Sequence, residues 1–257
     1  MRQLFSEFLA GQVWAVFIVF ARMGSAFAVL PGFAEASVPA RMRLLLAAAI
    51  TLVVSPVVAE SLPLLPAEPT QLALITAMEC ATGLFLGLIA RMMLAAAHVA
   101  GMIIGYQTSL ANAFAFDPAT HQQGVITAAW LSLLALVVLF AGDLHHVLIR
   151  ALADSYDVFP AGRVVDPGEF ADAATQLMSR SFSLGLRMSM PFLVYAIVLF
   201  VALGLMQRLM PQMQVFFVAM PLQIMIGLIL LAMTTGLAMT VFVEELEGTM
   251  ASLLMRK

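Results

Sequence analysis

Apolar residues run in long, nearly unbroken stretches over approximately 12–30, 42–59, 72–110, 125–141, 182–206 and 213–243. Each is at or near the ~20 residues that carry a helix across ~30 Å of hydrocarbon. The pattern predicts an all-α chain of membrane type with about six apolar helical segments. The third stretch is anomalous, because as one helix its 39 residues would reach roughly 58 Å at 1.5 Å per residue. It must tilt, bend, divide into a hairpin or project beyond the bilayer.

Composition agrees with the pattern. Hydrophobic residues make up 63% of the 257 and charged residues 11%, more apolar surface than a water-soluble globule of this length can hide. The net charge of −3 is weak, and the basic residues are eleven arginines and one lysine scattered singly, so no patch suits nucleic acid. The single cysteine, Cys80, excludes a disulfide within the chain and offers no metal spacing. Near the start, Arg2, the apolar run Val13–Phe20 and Ala26-Phe27-Ala28 imitate a signal peptide. Glu7 and Arg22 break that imitation, and the first stretch is read as a retained helix.

Loop charge predicts an orientation. Arg41 and Arg43 follow the first stretch, whereas ESLPLLPAEPTQ over 60–71 carries only Glu60 and Glu68. The first loop then faces the cytoplasm and the second the outside. With 72–110 as one pass, the polar loop 142–181 lies outside and Arg208 inside; with a hairpin there, everything beyond it inverts.

Small and charged residues inside the apolar stretches have specific placements. Gly83 with Gly87, and Gly101 with Gly105, are two G-x-x-x-G pairs, and the 18 residues between them are about five helical turns, so both lie on one stripe suited to close helix packing. Arg22, Glu79, Arg91 and Arg187 stand in or at the edges of apolar segments, where a charge costs a few kcal/mol unless paired or solvated. Arginine does not release its proton at working pH, so pairing between subunits is the reading adopted over a proton path. H-E-x-x-H, G-x-S-x-G and phosphate-cradling glycine loops are absent from the sequence, leaving no enzymatic signature. His145 and His146 beside Asp143 invite a metal ion, but adjacent residues project about 100° apart on a helix. A solvated loop edge is the expectation there, with no metal or other cofactor.

Two segments resist a plain helical reading. In GMIIGYQTSLANAFAFDPATHQQG, residues 101–124, the bulky Leu110, Phe114 and Phe116 stand among alanines before the Asp117-Pro118 turn. In a pore such side chains would exclude water and ions by dewetting; in an ordinary loop they would tuck into the bundle. In RLMPQMQVFFVAMPLQIMIG, residues 208–227, Pro211 and Pro221 with Gln212, Gln214 and Gln223 interrupt an apolar run. Pro211 ends a helix and frees backbone groups that the glutamines can bond, and Pro221 permits a bend.

Three segments in the same order, ARMGSAFAVLPGFAEASVPARMRLLLAAAI, NAFAFDPATHQQGV and PQMQVFFVAMPLQIMIGLILL, resemble the FliR family of flagellar export-gate proteins, which includes the SctT subunits of virulence type III secretion systems. The likeness runs over nearly the whole chain and favours the flagellar branch. It implies a FliP-like part over 1–181 and a FliQ-like helical hairpin over 182–257, in a bacterial inner-membrane assembly at the flagellar basal body with FliP-like and FliQ-like subunits. Unfolded proteins would pass through that assembly, and an FlhB-like partner would meet its cytoplasmic side. Carried over by residue, a plug loop of about 106–124 would place Leu110, Ala113, Phe114 and Phe116 in the pore, with Asn112 and Asp117 beside them. Pro211, Gln212 and Gln214 would form the hairpin turn. The chain would be a structural and gating subunit rather than an enzyme. A stand-alone secondary transporter is the alternative, although 1–125 and 126–257 show no internal repeat.

Overall fold

The computed structural model describes residues 2–111, 125–162, 167–212 and 214–254. Among them the chain forms seven α-helices: α1 Arg2–Phe27, α2 Ala40–Val58, α3 Pro69–Gln107, α4 Ile126–Ala141, α5 Leu144–Val158, α6 Pro167–Leu209 and α7 Val215–Leu254. No strand occurs among the described residues. Five of the helices contain segments long and apolar enough to cross a membrane, over Leu9–Phe27, Ala40–Val58, Pro69–Gln107, Phe170–Leu209 and Phe217–Ser252; α4 with α5 makes a sixth if the pair is one broken span. The all-helical, membrane-type pattern read from the sequence is therefore the architecture observed.

The long third stretch is one continuous helix of 39 residues. It begins on Pro69, whose missing N–H costs nothing at a first helical position, and Leu72 N–H already bonds the Glu68 carbonyl at 3.2 Å. A hairpin within 72–107 is thus excluded. The polar segment 142–181, expected as a loop, instead carries α5 and the first turns of α6. In α5 the buried positions are Leu144, Leu148, Ala151, Leu152, Ser155 and Tyr156. Their three- and four-residue spacing defines one helix face, which the intervening charged residues conceal from a reading by average polarity.

The chain packs as two compact units, one of residues 1–92, 143–177 and 247–257 and the other of 93–142 and 178–246. In the first, α1 buries Ile18, Val19, Met23, Ala26 and Phe27. The Trp14 indole N–H bonds the Pro63 carbonyl at 3.0 Å. Between α1 and α2, Arg43 Nε donates to the Phe33 carbonyl at 3.1 Å and a terminal nitrogen to Val38 O at 3.4 Å, so one guanidinium satisfies carbonyls of a turn that lacks a ladder of its own. In the second, α4 buries Thr127, Ala128, Leu131, Ala135 and Leu139. Leu203 of α6 packs with Val215 and Ala219 of α7. Other parts of α6 and α7 remain uncovered, including Val194, Ile197, Val198 and Val201 on α6 and Phe217, Val218, Met233 and Leu237 on α7.

Candidate functional site

The glycine stripe of α3 is where backbones meet. In the first unit, a Cβ on Gly83 would collide with the Arg22 carbonyl oxygen and Ser25 Oγ of α1, and one on Gly87 would stand 2.7 Å from the Ala26 carbonyl oxygen. In the second unit, a Cβ on Gly101 would collide with Ala128 Cα, and one on Gly105 with Val125. Thr127 Oγ1 donates to the Gly101 carbonyl at 2.7 Å. Two further glycines were not singled out from the sequence: Gly185 of α6, whose added Cβ would lie 3.0 Å from the Ala96 carbonyl oxygen, and Gly227 of α7, which faces the side chain of Thr108. Their signal was only a single small residue in an apolar helix.

Arg22 and Glu79 pair with each other inside the first unit. Arg22 Nε donates to Glu79 Oε2 at 2.7 Å, and the two side chains are 1% and 2% exposed. Arg22 also donates to Ser155 Oγ at 3.0 Å and to the Phe159 carbonyl at 2.9 Å, while its guanidinium carbon lies 3.8 Å from the Tyr156 ring centroid. The other Glu79 oxygen accepts the Gly162 N–H at 3.2 Å. The pairing expected between subunits is closed within one chain for these two residues, since complete burial leaves neither surface to offer. The network ties α1, α3 and the end of α5 together. Arg91 is exposed, with a terminal nitrogen 3.4 Å from the Val29 carbonyl. Arg187 of α6 meets Glu245 of α7 at 3.2 Å with both partly solvated.

Where α3 ends, Thr108 and Ser109 turn the chain. Ser109 has φ 59, a left-handed conformation that few non-glycine residues adopt. Its hydroxyl donates to Gln223 Oε1, and Tyr195 OH donates to the Gln223 carbonyl at 3.4 Å. Gln223 is 5% exposed and Leu110 8%. Thus Gln223, expected to bond across an interface, is used within the chain to hold the helix end that leads into the 112–124 segment. Asn112, Ala113, Phe114, Phe116 and Asp117 lie outside the described residues. Pro211 and Gln212 form a turn between α6 and α7, and Gln214 contributes through its main chain, its carbonyl accepting from Phe217 at 3.0 Å. Pro221 stands inside continuous α7.

The turn between α4 and α5 is solvated as expected at Asp143 and His146, both exposed, with His145 half-buried beside them. The rings of His145 and His146 are 4.0 Å apart between centroids. One ligand atom from each of Asp143, His145 and His146 falls within 4.8 Å of the others.

Compared with known proteins, residues 13–249 match the model of the family described as bacterial export proteins, family 1. The chain belongs to this family. Among curated relatives it is 37% identical to the flagellar biosynthetic protein FliR of Caulobacter vibrioides over 231 residues, 90% of this chain and 92% of that protein. It is 32% identical to the FliR of Escherichia coli over 85% of this chain and 82% of the relative. It is also 26% identical to the Yop proteins translocation protein T of Yersinia pestis, over 71% of this chain and 70% of the relative. The family resemblance read from the sequence is therefore correct.

Proposed function

We propose that this chain is a non-enzymatic, multi-pass subunit of the flagellar type III protein export apparatus in the bacterial inner membrane. It assembles with FliP-like and FliQ-like subunits into the channel through which unfolded substrates leave the cytoplasm, and the α6–α7 turn at Pro211–Gln214 meets an FlhB-like partner. The carrying observation is the likeness to flagellar FliR, which spans nine tenths of both chains. The uncovered apolar faces of α6 and α7 fit this reading, because such surface calls for lipid or neighbouring helices. The residues following the Ser109–Gln223 contact, with Leu110, Ala113, Phe114 and Phe116, form the plug that closes the channel at rest.

The test is purification from cells making the flagellar export proteins at native levels. The tagged chain should carry FliP-like and FliQ-like subunits with it, and cells lacking it should export no flagellar protein. A monodisperse, companionless chain in cells whose flagella assemble without it would overturn the proposal and favour a stand-alone transporter.

A further inference from the structure

The turn joining α4 to α5 holds three ligand-type side chains that the export function leaves unused. Asp143 precedes α5 as its N-cap with φ 57, a left-handed conformation that aspartate adopts more readily than most non-glycine residues. An aspartate in this position ordinarily accepts a helix N–H, but this carboxylate makes no capping bond. Its Oδ1 instead lies 3.5 Å from His146 Nδ1. The ring of His145 stacks at a tilt against that of His146, its neighbour in α5, with centroids 4.0 Å apart. Asp143 and His146 are exposed and His145 is half-buried.

We propose that Asp143, His145 and His146 bind a divalent transition-metal ion of the Zn²⁺ class. Two imidazoles and one carboxylate form a donor set for a cation of borderline softness, whereas Ca²⁺ and Mg²⁺ select oxygen ligands. With metal–ligand bonds of about 2.0–2.2 Å, a four-coordinate ion holds neighbouring ligand atoms roughly 3.4 Å apart. Asp143 and His146 already stand at that spacing. The widest separation in the trio, up to 4.8 Å, closes by rotation of the exposed Asp143 and His146 side chains. Three protein ligands leave a fourth position for water, so the site belongs to the exchangeable kind.

The experiment uses the full chain in its detergent-solubilised complex, purified by a tag without histidines, and titrates ZnCl₂ against a chromophoric chelator. One Zn²⁺ per chain is expected. His146→Ala and Asp143→Asn should each weaken binding by about tenfold or more, the size that even an outer-shell partner is worth at a metal site. His98→Ala should leave binding unchanged, since that ring bonds Ser132 elsewhere in the chain at 3.3 Å. Visible absorption of the Co²⁺-substituted protein reads the coordination directly and should be lost in His146→Ala while the thermal melt of the metal-free complex stays at the wild-type value. Equal Zn²⁺ stoichiometry and affinity in wild type and His146→Ala, or no binding by the wild type, would overturn the assignment whatever the outcome for export.

Discussion

Arg22 Nε and Glu79 Oε2 stand 2.7 Å apart with both side chains buried, 57 residues apart in sequence. Three guanidinium nitrogens find acceptors and both carboxylate oxygens find donors, which offsets the desolvation that makes an isolated buried ion pair a poor stabiliser. Removing one member strands the other. Glu79→Gln or Arg22→Met should destabilise the purified chain by about 3–5 kcal/mol, and the double variant Arg22→Met/Glu79→Met should recover much of that loss. Thermal unfolding in detergent measures it; single variants that melt with the wild type would remove the network from any structural role.

The glycine joints of α3 predict a sharper contrast than any average over glycines. Gly83→Ala and Gly101→Ala each drive a methyl group into backbone atoms of the facing helix, which cannot rotate aside as a side chain can. Each should cost about 1–3 kcal/mol or more. Gly236 of α7 has nothing within 4 Å of an added Cβ. There alanine should be neutral or stabilise the isolated chain by up to about 1 kcal/mol through helix propensity. Melting the three variants in parallel tests this, and equal effects at Gly83 and Gly236 would contradict the packing described.

At the end of α3, Ser109 combines an unfavourable backbone angle with a buried bond to Gln223. Ser109→Ala keeps the strain and leaves the Gln223 oxygen unpaired, at about 1–3 kcal/mol. Ser109→Gly loses the same bond but relaxes the left-handed backbone, so it should melt above Ser109→Ala. Changing both partners, Ser109→Ala with Gln223→Met, should cost less than Ser109→Ala alone. The order of the three melting temperatures is the measurement. Glycine falling below alanine would show that the φ of Ser109 carries no strain.

What was legible in the sequence follows from the range of each interaction. The apolar stretches report helices because one residue type repeated over ~20 positions needs no partner to be recognised, and Gly83 and Gly101 share a stripe because helical period is a local property. α5 was hidden, since Asp154, Asp157 and Arg150 on its open face make 142–158 polar on average while Leu144, Leu148 and Leu152 line the other face. The partners of Arg22 and of Gln223 were out of reach for a different reason. Sequence shows that a buried charge or amide needs a partner, but which group supplies it depends on contacts 57 and 114 residues away. The nearness of Asp143 to the two histidines was legible, since all three lie within four residues, but the left-handed backbone of Asp143 was not.

The plug proposal makes the last prediction. Phe114 and Phe116 are separated by Ala115 and preceded by Ala111 and Ala113, so the bulk available to exclude water is concentrated in two rings and Leu110. A hydrophobic constriction closes to ions by dewetting, which depends on the width and apolar character of the narrowest point. Phe114→Gly with Phe116→Gly widens it, and cells carrying the double variant should leak small ions across the inner membrane at rest, read as loss of membrane potential by a voltage-sensitive dye. Phe114→Leu with Phe116→Leu keeps an apolar branched side chain at each place and should leave the membrane tight. Export of flagellar protein should persist in both variants, since the plug blocks the path and does not drive passage. Polarisation equal to wild type in the glycine variant, with the chain present in the assembled complex, would remove these aromatic residues from the seal.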